Sequence, residues 1–226
     1  MGQKFRIASG VSGVAFVVLI VIAFIFGPSD PPGFNDTTGL IATYVVDNRS
    51  EFELVLALTL AAAPFFLLFS AGLVRTLRLA EEEGPAMMAS VAYAGAVLFI
   101  GLAAIGAGIQ WASAHAVELA PDVVRALWEA GAIAYVIALG VGFVALTGAT
   151  AVISLAHGAL PKILVGVFSA LLAAYTFVVA IIGAVADTGA FASTDGELAG
   201  LAFGLFLVWV LVVSAVLILS KEKASA

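Results

Sequence analysis

The chain has 226 residues, of which 63% are hydrophobic and only 11% charged, against about 25% charged in ordinary soluble domains. A water-soluble core of this size cannot hide so much apolar surface, so an integral membrane protein remains. A formal net charge of −6 with no basic cluster argues against a nucleic-acid partner, and the absence of cysteine excludes a disulfide framework or a thiolate metal site.

Every Asp, Glu, Lys and Arg falls between apolar runs, so no charge is placed at mid-membrane depth. The uncharged runs are 7–29, 54–74, 84–117, 130–156, 163–186 and 198–220, each long enough to span. They predict an all-α polytopic bundle, a single domain over 1–226. Its six transmembrane helices fall at about 7–27, 52–76, 86–112, 122–156, 162–186 and 196–220.

Lys4 and Arg6 precede the first run as in a signal peptide. The apolar part continues to Phe26, however, and Gly27-Pro28-Ser29-Asp30 offers no small-x-small cleavage site, so this run is read as a retained helix. The loop 28–50 opens with Pro28, Pro31, Pro32 and Gly33. Within it Leu40, Ile41, Tyr44 and Val45 recur at helical spacing, which predicts a short interfacial helix in the first outer loop.

Ser50-Glu51-Phe52-Glu53 has the capping-box pattern and is expected to open the second span. From Leu54 to Val74 that span carries 21 uncharged residues, about 31 Å of helix, with Pro64 at the centre and Arg75 and Arg78 at the far end. Glu81, Glu82, Glu83, Gly84 and Pro85 break the chain. Trp111 and Trp128 fall at interface depth in the third and fourth spans, and Pro121 and Asp122 suit the first turn of the fourth. The link His157-Gly158-Ala159-Leu160-Pro161 is short enough to make the fourth and fifth spans antiparallel neighbours. Thr194-Asp195-Gly196-Glu197 is a second capping box.

On this map Lys4, Arg6, Arg75, Arg78, Lys162, Lys221 and Lys223 share one side, against Arg49 and Arg125 on the other. That bias predicts both termini in the cytoplasm, with the protein in the cytoplasmic membrane. Two small-residue stripes, Ala134-Ala138-Gly142 and Gly196-Gly200-Gly204, mark close helix contacts. Packing inside one bundle is the plain reading. A homodimer seam through Gly196, Gly200 and Gly204 is the functional one, beside membrane lipids as the obvious partners.

Catalytic signatures are missing: there is no HExxH and no P-loop. Gly10-Val11-Ser12-Gly13 matches the tetrapeptide of rhomboid-type intramembrane proteases, but His157, on the same side, lies at a helix end rather than at working depth. His115, Glu118 and Asp122, with Asp187, Asp195 and Glu197, are weak metal candidates whose plain reading is a solvated acidic rim. His115 and His157 map to opposite faces and cannot ligate one haem iron, so no cofactor is expected. Glu129, the deepest ionisable residue, has Arg125 one turn earlier. An ion pair near the outer interface is expected, at a polar entrance to the bundle. Asn35-Asp36-Thr37 and Asn48-Arg49-Ser50 match the N-glycosylation pattern and carry no functional weight.

Pro64, Tyr175 and Trp209 sit near the midpoints of their runs. The proline removes a backbone donor, and the two aromatics bring an O–H and an N–H to a depth where unpaired polar groups are costly. Either the polar tips bond neighbouring groups, or the three residues border an apolar ligand cavity.

The junction Ser154-Leu155-Ala156-His157-Gly158-Ala159-Leu160-Pro161-Lys162, followed by Ile163-Leu164-Val165-Gly166, resembles an uncharacterised bacterial family of six-helix membrane proteins known only as a domain of unknown function. Arg6-Ile7-Ala8 and Leu73-Val74-Arg75 look similar to the same family. The resemblance implies the six-helix layout and no activity. The leading expectation is a non-enzymatic protein that binds or moves a small hydrophobic or lipid-like molecule, or an accessory membrane subunit. A transporter or channel for a polar solute or ion comes second, and an intramembrane enzyme last.

Overall fold

The computed structural model describes residues 3–33, 35–81, 87–116, 120–183 and 197–220. Among them are seven helices: α1 (Gln3–Phe26), α2 (Thr38–Asp47), α3 (Arg49–Ala80), α4 (Met87–His115), α5 (Pro121–His157), α6 (Lys162–Gly183) and α7 (Glu197–Leu219). All except α2 are long and apolar enough to cross a membrane. The chain is therefore a membrane-integral all-α bundle with one short helix beside its six spans.

Each spanning helix packs on the next in chain order, and α7 returns onto α1 to close the bundle. Lipid is as apolar as the side chains, so dispersion contacts and close backbone approach must hold such a bundle together. The α4–α5 crossing shows how. A Cβ on Gly142 would lie 2.4 Å from the backbone nitrogen of Phe99, and one on Gly95 would lie 2.6 Å from the carbonyl oxygen of Gly142. Only glycine at both positions lets the two backbones meet. Gly142 lies within a π-helical segment of α5, Ala138–Phe143. Wide turns of this kind are rare and recur at functional sites. This one forms where Gly140 and Gly142 present no side chain.

An aromatic cluster fills the middle of the bundle. Phe206 of α7 meets Phe99 of α4 at 4.9 Å and Phe143 of α5 at 4.6 Å between ring centroids. Phe16 of α1 meets Phe66 of α3 at 4.9 Å. These rings adopt the tilted and edge-to-face arrangements that aromatic quadrupoles favour.

The link from α5 to α6 is as short as its sequence predicts. Gly158 closes α5 in the left-handed region (φ 68°), and its N–H donates to the carbonyl of Ser154 at 3.1 Å. The Pro161 carbonyl then accepts from the N–H groups of both Val165 and Gly166, opening α6 with a second π-helical segment, Lys162–Val167.

At the other end of the bundle α2 packs against α5 through buried Ile41 and Val45, whereas Leu40 of the same predicted stripe is exposed. The capping box expected at Ser50–Glu53 does not form. The helix starts at Arg49, the Ser50 Oγ donates to Glu51 Oε2, and Glu53 pairs with Arg49 at 3.3 Å. Asn48 serves both as the end of α2 and as the start of α3. Ser50 is therefore already inside the helix, where its hydroxyl cannot serve as the cap. The second predicted box, Thr194–Glu197, begins outside the described residues.

Candidate functional site

A cavity of about 340 Å³ opens at the α2 end of the bundle and reaches down to the aromatic cluster. That volume falls in the range of small-molecule sites, roughly 300–1,000 Å³. Its deep end is walled by Phe16 and Ile20 of α1, Phe99 and Ala103 of α4, Leu139 of α5 and Phe203 of α7. Pro28 and Pro31 border it at the mouth. Ala138 and Leu139, at the start of the π-helical segment of α5, contribute to the wall, while Phe143 at the end of that segment belongs to the aromatic core.

Near the α2 end the lining becomes amphipathic. Tyr44 of α2, Phe52 of α3 and Trp128 of α5 form a mutual edge-to-face triad at 5.7, 5.8 and 6.2 Å between centroids, and all three line the cavity. Trp128 is only 4% exposed, and its indole N–H is buried with no hydrogen-bond partner among the described residues. A buried donor left unpaired costs about 1–3 kcal/mol, and this one is closed off from the cavity as well as from a partner. Burial, then the nearby carboxylates of Asp30 and Glu51, push the Tyr44 phenol up to about 12.

Gln110 of α4 and Tyr135 of α5 also border the cavity. A Cβ on Gly131 would lie 2.6 Å from Gln110 Cγ, and one on Gly106 would lie 3.1 Å from the Tyr135 ring. The Gln110 side chain therefore lies against α5 one turn beyond Trp128 and one turn before Tyr135. Among the described residues no Asp, Glu, Lys, Arg or His is part of the lining.

Arg125 and Glu129 stand outside this lining. They form the expected i,i+4 ion pair at 2.6 Å, and the guanidinium also donates to the Asp36 carbonyl at 3.1 Å and to Thr38 Oγ1 at 3.5 Å. The pair thus ties α5 to the loop that leads into α2, one turn from Trp128.

The mid-depth set does not come together around the cavity. Pro64 is on an exposed face of α3. The Tyr175 hydroxyl donates to the Leu198 carbonyl at 3.1 Å, and the Trp209 indole donates to Ser169 Oγ at 2.7 Å. None of the three lines the cavity. Shared depth along the membrane normal does not bring side chains together when their helices face them in different directions.

The metal candidates are occupied otherwise or dispersed. His115 Nδ1 lies 2.9 Å from the Trp111 carbonyl and His115 Nε2 lies 3.2 Å from Glu53 Oε1. Asp122 is exposed in the first turn of α5, and Glu118 lies outside the described residues. Among the described residues no group of three or more His, Asp or Glu could hold a metal ion. Ser12 of the protease-like tetrapeptide donates to the Ala8 carbonyl at 2.8 Å, and His157 is exposed at the end of α5.

Of the small-residue stripes, Ala134, Ala138 and Gly142 are buried inside the bundle. Gly200 and Gly204 face open space with nothing within 4 Å, and Gly196 lies outside the described residues.

The fold and the cavity together define a six-span, all-α membrane-integral protein with an apolar chamber of small-molecule size. The chain matches no protein-family model, no curated protein and no solved structure.

Proposed function

We propose that the protein binds a small hydrophobic, lipid-like molecule in the cavity beneath α2. The observation that carries this reading is a chamber of about 340 Å³ with an apolar wall, an amphipathic end and, among the described residues, no charged lining residue, inside a chain built to reside in lipid. Phe24 is two-thirds exposed, yet it lines the cavity and pairs with Phe203 at 5.3 Å between centroids. A polar solute or ion has less to hold it, because burying it against such a wall forfeits its hydration without compensating partners. Retention of a hydrophobic molecule through purification, read by native mass spectrometry, tests the reading.

In this proposal α2 and the cavity mouth face outward and both termini face the cytoplasm, supported by the seven-to-two split of basic residues. The chain has no cysteine, so single introduced thiols report cleanly. An impermeant reagent added outside intact cells should label Gly39→Cys and leave Lys162→Cys untouched. The reverse pattern would invert the topology.

A further inference from the structure

Resting on the cavity-binding reading, we infer that the molecule in the cavity is a lipophilic cation. Its amine or quaternary ammonium group stands at the mouth, beside the carboxylates of Asp30 and Glu51, and its apolar tail lies in the chamber.

The mouth is built from the two segments that carry these carboxylates. Pro28 and Pro31 border it, and Asp30 turns the chain between them in the left-handed region (φ 52°). Glu51 stands in the first turn of α3, next to Phe52 of the cavity wall. Both segments come close to Tyr44 of α2, which also lines the cavity. The charges that act on its phenol are those of Asp30 and Glu51, and both push it up. A hydroxyl in the cavity wall thus senses a negative field at the α2 end.

Neither carboxylate is neutralised. Among the described residues Asp30 makes no ion pair and no side-chain hydrogen bond, and Glu51 accepts only from the Ser50 hydroxyl at 2.9 Å. The two arginines at this end are taken up by other acids, Arg49 by Glu53 at 3.3 Å and Arg125 by Glu129 at 2.6 Å. His115 Nε2 also meets Glu53, at 3.2 Å. Two uncompensated carboxylates therefore stand over an apolar chamber whose described wall holds no cation.

This arrangement sorts ligands by charge. A phosphate or carboxylate head would meet like charge at the mouth. An inorganic cation gains nothing from the apolar chamber, which cannot replace its hydration. An organic cation keeps its charge at the rim and buries only its tail, against Ile20, Phe99 and Phe203. Tyr44, the least buried ring of the aromatic triad, adds aromatic surface of the kind that attracts alkylammonium groups.

Three probes with the same chain separate the outcomes: dodecyltrimethylammonium, dodecan-1-ol and dodecyl sulfate. Each is titrated calorimetrically, below its micelle concentration, into the full-length protein in phosphatidylcholine nanodiscs, with empty nanodiscs as the blank. Asp30→Asn removes a charge and keeps a residue that tolerates the left-handed turn. Glu51→Gln keeps a good helix former in the first turn of α3. The melting temperature of the double variant shows whether it is folded, and the comparison among probes on the unmodified protein needs no variant.

The cation should bind about tenfold tighter than the alcohol, the combined worth of two rim carboxylates and one aromatic ring at a partly exposed site. Raising the salt from about 0.05 to about 0.5 M should shrink that advantage. In the Asp30→Asn, Glu51→Gln protein most of it should vanish while the affinity for the alcohol is kept. If the alcohol binds as tightly as the cation, the cavity still takes hydrophobic molecules and the charge inference is overturned. Tighter binding of dodecyl sulfate overturns it too, as does a cation advantage that survives in the folded double variant. If no probe binds beyond the empty nanodisc, the binding reading falls, and this inference with it.

Discussion

Ala103→Phe is expected to reduce the bound hydrophobic molecule to background in the purified protein while leaving the bundle folded. Ala103 is on α4, 9% exposed, in the wall between the aromatic floor and the amphipathic end of the cavity. A phenyl ring there grows into existing space rather than into packed neighbours. The overpacking penalty of about 1–3 kcal/mol that follows insertion into a full core should therefore be largely absent. Filling a void tends to stabilise, so the melting temperature should hold or rise in the absence of ligand. Gly101→Phe is the matched control, two residues away and open to the surroundings with nothing within 4 Å. It adds the same ring to the same helix and should leave the bound content unchanged. Wild-type content in a folded Ala103→Phe protein would place the molecule elsewhere.

Trp209→Ala should lower stability by about 3–5 kcal/mol, the usual cost of truncating a large buried aromatic residue. Trp209 is fully buried, packs edge-on against Phe69 at 6.2 Å and stacks on Phe206 at 6.2 Å, and its indole joins α7 to α6 through Ser169. In a bilayer these dispersion contacts have no hydrophobic drive behind them to compensate for their loss. Trp209→Phe keeps an aromatic ring but leaves the Ser169 hydroxyl without its donor, at about 1–3 kcal/mol. Reversible unfolding in mixed micelles measures both. Neither variant should change the bound content per folded chain, because Trp209 does not line the cavity. A folded Trp209→Phe protein that has lost its ligand would move the site to the centre of the bundle.

Several features of the fold are legible in the amino-acid order because one strong rule governs each. The cost of charge in hydrocarbon confines every Asp, Glu, Lys and Arg to the ends of uncharged runs, and the six long helices coincide with those runs. Chain length alone limits what can follow His157, and Gly158 with Pro161 makes the turn. The pairing of Arg125 with Glu129 follows from helical spacing.

The site was harder to read, because a cavity depends on which way each residue faces around its helix. Pro64, Tyr175 and Trp209 share a depth in the sequence, yet they point to an exposed face, to Leu198 and to Ser169. The π-helical segment of α5 compounds the problem. Ala138 and Leu139 enter the cavity wall where the ordinary 3.6-residue period is interrupted, which no helical wheel would place. One signal was available. Gln110 is the only side-chain amide inside any of the uncharged runs, and a polar group at such a position is expected to face the protein interior. Following it to its nearest neighbour across the α4–α5 contact leads to Gly131, and from there to Trp128 and Tyr135.

The most direct measurement is native mass spectrometry of the unmodified protein, extracted from its own membrane in mild detergent. The chamber predicts one hydrophobic molecule per chain that survives activation sufficient to strip loosely associated lipids. A bare chain, or a broad ladder of ordinary membrane lipids with no single retained mass, would contradict a binding site in the cavity.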